Sequence, residues 1–159
     1  MNARSLLAVS APMARALDLA RAAAAAGEAP VGAVVAGPDG AIVAEAANAM
    51  RARRDPTAHA ELLAIRAACE ALGAERLTGC DLHVTLEPCP MCAGAIMHAR
   101  LRRLYYAASD PKGGAVAHGP RLFAQPTCLH RPEIYDGMGG EASAELLRGF
   151  FRALREGGR

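Results

Sequence analysis

The sequence predicts a single α/β domain in which helices cover both faces of one mixed β-sheet. Its 159 residues are enough for one domain with a substantial core. Patterned segments follow one another in the order helix, hairpin, helix, strand, helix, strand and helix, an alternation typical of layered α/β domains. Because a hairpin joins two antiparallel strands, the sheet must be mixed. We assign residues 1–159 to this domain and expect residues 1–10 to be flexible.

The first part of the chain predicts a helix followed by a hairpin. Apolar residues with the spacing of one helix face are Met13, Leu17, Ala20 and Ala24. We expect that helix to end near Gly27. Two apolar runs, at 31–36 and 41–47, are typical of strands. The segment Gly37-Pro38-Asp39-Gly40 between them has the residue types of a tight turn.

Caps and periodicity predict the remaining elements. Asp55 and Pro56 have the residue types of a helix N-cap and first helical position, so we expect a second helix from there to Gly73. Residues 82–86 alternate between apolar and polar and predict a half-buried strand. Three further segments follow: a helix opening at 88–90, a strand at 103–107, and a long Gly- and Pro-rich loop at 108–132. A last helix begins near Glu141. The apolar residues that we expect it to turn inward are Leu146, Leu147, Phe150, Phe151 and Leu154.

Two short motifs carry metal-binding residue types. The first is His59-Ala60-Glu61, and the second is Pro88-Cys89-Pro90-Met91-Cys92. One imidazole and two thiolates suit Zn²⁺, and three protein ligands leave a fourth position for water, which is typical of catalytic zinc. Cysteines three residues apart in the first turn of a helix face the same side, and the helix dipole favours their thiolate form. These residues predict one Zn²⁺ per subunit, bound by His59, Cys89 and Cys92.

Glu61 is the candidate general acid and base. Its carboxylate lies two positions from His59 and is not needed as a ligand. Bound zinc lowers the pKa of a water molecule from 15.7 towards about 7, and a nearby carboxylate can take and return that water's protons. This chemistry suits a hydrolytic reaction.

Other polar residues are less diagnostic. Asn48 follows the predicted hairpin, and both a contact with a base edge and a turn-forming role are open. The arginine-rich stretch 51–54 suits either a solvated loop or RNA phosphates. The role of His118 is open. For Cys128 and His130 a structural role is favoured, because no further metal ligand lies near them in the sequence.

Composition limits the setting in which the protein works. A net charge of +2 permits a nucleic-acid partner without requiring one. Five cysteines, two of them in the metal-like pair, argue for a reducing compartment rather than a disulfide scaffold. No uninterrupted apolar stretch approaches the length of a membrane span. We therefore expect a cytoplasmic protein without a membrane partner.

At its two motifs the chain resembles the cytidine deaminase superfamily, and within it the bacterial tRNA adenosine deaminases. An H-x-E followed by P-C-x-x-C is the signature of zinc nucleobase deaminases. The similarity extends over nearly the whole chain. The segments that carry it are 30–34, similar to the family's first strand, 55–61 and 85–96, its metal segments, and 110–115 and 150–152, similar to its RNA-contacting segments.

This resemblance implies a three-layer α/β/α cytidine-deaminase-like fold around a five-stranded mixed sheet, in a homodimer. It also implies conversion of adenosine to inosine at the wobble position of tRNA. By position, Asn48 would meet the flipped base and Ala60 would also contact the substrate. Asp110 would contact the nucleotide sugar, and Phe151 and Arg152 the anticodon loop, whose bases are already unpaired.

Two alternatives stay open. Guanine deaminases resemble this chain at both zinc motifs and at 65–73, so the metal segments do not separate a free-base, nucleoside or nucleotide deaminase from the tRNA enzyme. Segments 110–115 and 150–152 favour the tRNA enzyme. The second alternative is a non-catalytic, zinc-stabilised RNA-binding module, which predicts that Glu61 is dispensable and that chelation melts the protein.

Overall fold

The structure, a computed structural model, describes residues 8–157. Within that range five strands form one sheet in the order β2-β1-β3-β4-β5. The strands are β1 (Gly32–Ala36), β2 (Ile42–Ala47), β3 (Asp81–Leu86), β4 (Arg103–Ala108) and β5 (Glu133–Asp136). β1 pairs antiparallel with β2 and β3, whereas β3 and β4, like β4 and β5, pair in parallel. The sheet is therefore mixed, as predicted.

The helices lie in two layers, one on each face of the sheet. They are α1 (Ala11–Ala25), α2 (Met50–Arg53), α3 (Ala60–Leu72), α4 (Pro90–His98) and α5 (Gly140–Glu156). Ala33 and Val35 of β1 pack in the larger core cluster with α3 and α4. Val34 points to the opposite face and packs with Met13 and Ala16 of α1, and α5 packs against α1 and β4. This confirms the three-layer α/β/α fold.

The predicted start of the second long helix is wrong. α3 begins at Ala60 with His59 in the N-cap position. Asp55 instead accepts hydrogen bonds from the backbone N–H and the hydroxyl of Thr57, at 2.8 and 2.7 Å. A short aspartate side chain bonds readily two residues ahead in an Asx turn, so Asp55 stabilises a turn before the helix. The loop between β2 and α3 also contains the short helix α2, which sequence patterning did not indicate.

The C-terminal part differs from expectation in two ways. Sequence patterning did not locate β5, the fifth strand that the resemblance implied, because all four of its residues are exposed at the sheet edge and show no alternation of apolar and polar side chains. In α5, Phe151 is 46% exposed and Leu154 is also exposed, so neither points inward as expected. The other three apolar residues of that face are half-buried.

The expectation that residues 1–10 are flexible stays a prediction. Residues 1–7 lie outside the described part of the chain. Ser10, however, accepts a hydrogen bond from the N–H of Met13 as the helix N-cap, and its own N–H contacts the sulfur of Met138 at 3.3 Å. Among residues 8–157, no helix is both long and apolar enough to span a membrane.

Candidate metal centre and substrate groove

Two helix N-termini bring the predicted metal ligands together. His59 is the N-cap of α3, and Cys89 is the N-cap of α4, with Cys92 in its first turn. His59 Nδ1 lies 3.6 Å from Cys89 Sγ and 3.5 Å from Cys92 Sγ. A tetrahedral Zn²⁺ with ordinary Zn–N and Zn–S bonds separates such ligand atoms by about 3.6 Å. The residues therefore fit a zinc ion at the expected spacing.

The two cysteines are electronically unequal. The pKa of Cys89 is lowered to about 5, mainly because the Cys92 thiol donates a hydrogen bond to its sulfur, with further help from backbone N–H groups. The pKa of Cys92 is raised, first because it donates that bond and then because it is buried. The pair thus favours one thiolate at the helix N-terminus, where the dipole stabilises negative charge. A thiolate is the form that binds a metal.

Glu61 lies in the first turn of α3 and is only 4% exposed. Burial raises the pKa of its carboxyl group, because the charged form loses hydration. A carboxyl group with a raised pKa can both take and release a proton near neutral pH. The position and the environment of Glu61 therefore agree with the predicted acid–base role.

Asn48 and Ala60 lie near the metal ligands in the chain but are little exposed. Asn48 follows β2 and is 7% exposed, with its backbone N–H bonded to the carbonyl of Val31. The neighbouring Glu28, also buried, accepts the backbone N–H groups of Arg51 and Ala52 and so holds the start of α2. Ala60 has no exposed surface. Substrate contacts from Asn48 and Ala60 both stay predictions.

A groove of about 1170 Å³ brings the other predicted substrate residues together. Asp110, from the loop after β4, lines it together with Phe151 and Arg152 of α5. The groove also contains Leu86, the last residue of β3, which lies three positions before Cys89. One lining residue therefore belongs to the strand that leads into the metal segment.

Sequence reasoning singled out none of three basic lining residues, although Lys112 lies within the segment 110–115. Lys112 lies two positions after Asp110, and Arg148 and Arg155 flank Arg152 on α5. The arginines repeat at i, i+4 and i+7, so helical spacing alone could have placed them on one face. Together they add positive charge to the groove lining.

The remaining histidine and cysteine candidates have structural partners. His130 Nε2 lies 2.7 Å from the carbonyl oxygen of Leu101, and the Cys128 thiol donates to the carbonyl of His130. These contacts agree with the structural role favoured for both residues. His118, left open by the sequence, bonds to the buried carboxylate of Glu87.

Comparison with known proteins places this site in a family. Residues 8–108 match the family model of the cytidine and deoxycytidylate deaminase zinc-binding region. The chain belongs to this family. It is 58% identical over 140 residues to a tRNA-specific adenosine deaminase of Agrobacterium fabrum, covering 88% of this chain and 91% of that protein.

Solved structures extend the comparison. One described as a tRNA deaminase that carries out A-to-I editing at the wobble position of transfer RNA is 57% identical, with a TM-score of 0.84, and the match covers 86% of this chain and 98% of that one. The structure of guanine deaminase from Bacillus subtilis is 46% identical with a TM-score of 0.60, covering 69% of this chain and 66% of that one. Both have the fold seen here.

Proposed function

We propose that this protein is a zinc-dependent hydrolase that converts adenosine to inosine at the wobble position of tRNA. The observation that carries the proposal is a buried Glu61 beside a His/Cys/Cys cluster, in a protein that also has a groove lined by basic residues. The high identity to tRNA-specific adenosine deaminases over most of the chain supports the same substrate.

The proposed metal is one Zn²⁺ per subunit, bound by His59, Cys89 and Cys92. Their ligand atoms all lie within 4.8 Å of one another. When bound, zinc supplies Lewis acidity that lowers the pKa of a water molecule and so provides a nucleophile at neutral pH.

Glu61 carries the proposed proton transfers. As a carboxylate it takes a proton from the attacking water and gives it to the ring nitrogen next to the reacting carbon. It then passes the second water proton to the amino group, which leaves as ammonia. The balance is one water consumed, inosine formed and ammonia released. Burial of Glu61 keeps bulk water from competing for these protons.

The groove provides the proposed grip on RNA. Asp110 would contact the ribose, Asn48 the base edge, and Phe151 an unpaired base of the anticodon loop by stacking. Arg152 would contact phosphate. A splayed anticodon loop suits this arrangement, because little stacking must be broken to bring one base to the metal. The proposal includes a homodimer working in the cytoplasm, where tRNA is processed.

The decisive experiment offers several substrates to the zinc-loaded protein. An anticodon stem-loop with adenosine at the wobble position is compared with the same stem-loop carrying guanosine there, and with free guanine, adenosine and cytidine. Inosine in the first RNA, with ammonia release, is the expected result. Turnover of guanine with inert RNA would instead identify a free-base deaminase, the function of the Bacillus subtilis structure.

A matched pair of variants tests the proton carrier. Glu61→Gln should retain zinc and lose activity by roughly 10²- to 10⁴-fold, the usual size of general acid–base catalysis. Glu70→Gln, at an exposed position of the same helix, should keep full activity. An active Glu61→Gln protein would rule out the assigned role.

A further inference from the structure

The loop that follows β4 presents polar side chains to the groove. We define the Asp110 loop as residues 109–118. It places Asp110 and Lys112 in the groove lining. The Asp110 carboxylate accepts the N–H groups of Lys112 and Gly113, at 3.2 and 2.9 Å, which stabilises the turn locally. Those bonds shape the turn but do not set where it lies relative to the metal ligands.

One buried carboxylate holds the whole loop. Glu87 Oε1 accepts the backbone N–H of Asp110 at 3.1 Å and the His118 Nδ1–H at 2.8 Å. Glu87 Oε2 accepts the backbone N–H groups of Val116, Ala117 and His118, at 3.2, 3.1 and 3.2 Å. Five hydrogen bonds therefore converge on one side chain, which has no exposed surface.

The loop packs around this carboxylate without spare room. A Cβ on Gly114 would overlap Glu87 Oε2 and would lie 2.6 Å from the carbonyl oxygen of Asp110. Glycine at this position allows the loop backbone to approach the carboxylate closely. Contact with the Glu87 side chain therefore determines the position of the loop on the side that faces this carboxylate.

Glu87 also belongs to the segment that carries the metal ligands. It lies two residues before Cys89, and its own N–H donates to the carbonyl of Ala108 at the end of β4. The next residue, Pro88, accepts the N–H of Ala115 through its carbonyl oxygen. The two residues before Cys89 are therefore hydrogen-bonded both to Ala108, just before the Asp110 loop, and to Ala115 within it.

We infer that Glu87 is a positioning residue that sets Asp110 in register with the reacting centre. It touches no substrate and acts through the Asp110 loop, so its effect on turnover depends on Asp110. This inference rests on the proposed function for the role of Asp110. The geometry of the loop is independent of the proposed function.

Substitution of Glu87 by glutamine distinguishes the roles of its two carboxylate oxygens. The amide NH₂ of Glu87→Gln cannot accept a hydrogen bond. At the Oε2 position it would face three N–H donors, so it is expected at the Oε1 position. There it leaves the N–H of Asp110 without an acceptor. His118 Nδ1 can accept from the amide by a change of tautomer, and the three bonds to Oε2 persist. The variant should therefore release the Asp110 end of the loop selectively, since a buried donor without a partner is costly.

The test is a double-mutant cycle on kcat/KM with the wobble-adenosine stem-loop. Glu87→Gln should lower kcat/KM by about tenfold or more, corresponding to about 1.4 kcal/mol, with zinc content unchanged. In the Asp110→Ala background the same substitution should cost less than threefold, because the residue it positions is gone. A loss as large in that background as in the wild type overturns the inference. Glu75→Gln, at an exposed position, is the control for loss of a negative charge.

A second pair of variants covers the case in which Glu87→Gln does not fold. His118 is partly exposed, so His118→Ala removes one bond to Oε1 at little cost to folding. His118→Asn keeps an N–H donor near the position of Nδ1. The inference predicts a loss of activity in His118→Ala that His118→Asn restores; equal activity of the two variants contradicts it.

Hydrogen exchange of the substrate-free protein separates this inference from the proposed function. In whichever of Glu87→Gln and His118→Ala folds, the amide of Asp110 should exchange at least tenfold faster than in the wild type, and those of α1 should not. Unchanged exchange of the Asp110 amide refutes the positioning role. If the wild type edits no RNA but turns over another base, the proposed function fails, and the same cycle with that substrate tests Glu87.

Discussion

His83 should make the stability of this protein depend on pH in a window set by its burial. The residue lies on β3, is 6% exposed, and has no hydrogen-bond partner for Nδ1 among the described residues. Its ring stacks on Tyr105 with centroids 4.5 Å apart, and Tyr105 in turn stacks on Tyr135 at 5.0 Å. Burial lowers the pKa of His83 from 6.5 to about 4, because the imidazolium would lose its hydration.

The sign and size of the effect follow from proton linkage. Below pH 6.5 the unfolded chain binds a proton at His83, whereas the folded protein does not until about pH 4. Protonation therefore favours unfolding in that window. A shift of about 2.5 pKa units, at about 1.4 kcal/mol per unit, removes roughly 3 kcal/mol of unfolding free energy by pH 4. Above pH 6.5 the contribution is fully present.

The perturbation is His83→Phe, which keeps an aromatic ring in the stack and removes the titrating group. Urea unfolding of both proteins at pH 7 and pH 4 gives two differences in unfolding free energy. The difference should change by roughly 3 kcal/mol in favour of the variant at low pH. Carboxylates and metal ligands titrate alike in both proteins, so they cancel. A difference that stays constant within 0.5 kcal/mol, or a His83 resonance that titrates near pH 6.5, would refute the reasoning.

Three further predictions test the packing, the groove and the metal centre. Gly32→Ala should destabilise the fold by roughly 3 kcal/mol or more, because the new Cβ would overlap the carbonyl oxygen of Ala16. Gly149→Ala, at a position on α5 where the new Cβ meets open space, should instead stabilise the fold by about 1 kcal/mol. Urea unfolding measures both changes. Arg152→Ala should reduce the slope of log K against log salt for RNA binding by roughly 1; an unchanged slope would remove Arg152 from the phosphate contacts. Chelation should abolish activity, and added Zn²⁺ should restore it. The far-UV circular dichroism spectrum should stay native throughout, because neither hydrophobic core cluster contains the metal ligand His59. Melting on chelation would instead support a zinc-stabilised binding module.

Short-range spacing was enough to identify the chemistry of the site. The spacing of Cys89 and Cys92 placed two sulfurs in one helical turn, and the structure has both at the start of α4. The spacing of His59 and Glu61 predicted one metal ligand and one acid–base group, and both residues lie at the start of α3. These relations hold within a few residues, where helix geometry alone sets which side chains share a face.

Local patterns failed where a neighbouring element decides the outcome. Asp55 has the residue type of a helix cap, yet its side chain bonds Thr57 and the helix begins later. β5 has no apolar alternation, and it is a strand because β4 provides a partner for its backbone. Phe151 has helical spacing with apolar neighbours but lies on the groove side of α5. Propensity and periodicity describe one element at a time, whereas pairing and packing involve two.

The sequence by itself determined the residue types and the alternation of elements, and with them the layered fold and the zinc-binding chemistry. Only the tertiary structure decided which distant residues meet: His59 with the two cysteine sulfurs at 3.5 and 3.6 Å, Asp110 with α5 across one groove, and Glu87 with the loop that follows β4. The physical reason is that these contacts depend on the strand order, which places β3 between β1 and β4. That order is set by burial and hydrogen bonding over the whole sheet, and no local stretch of residues specifies it.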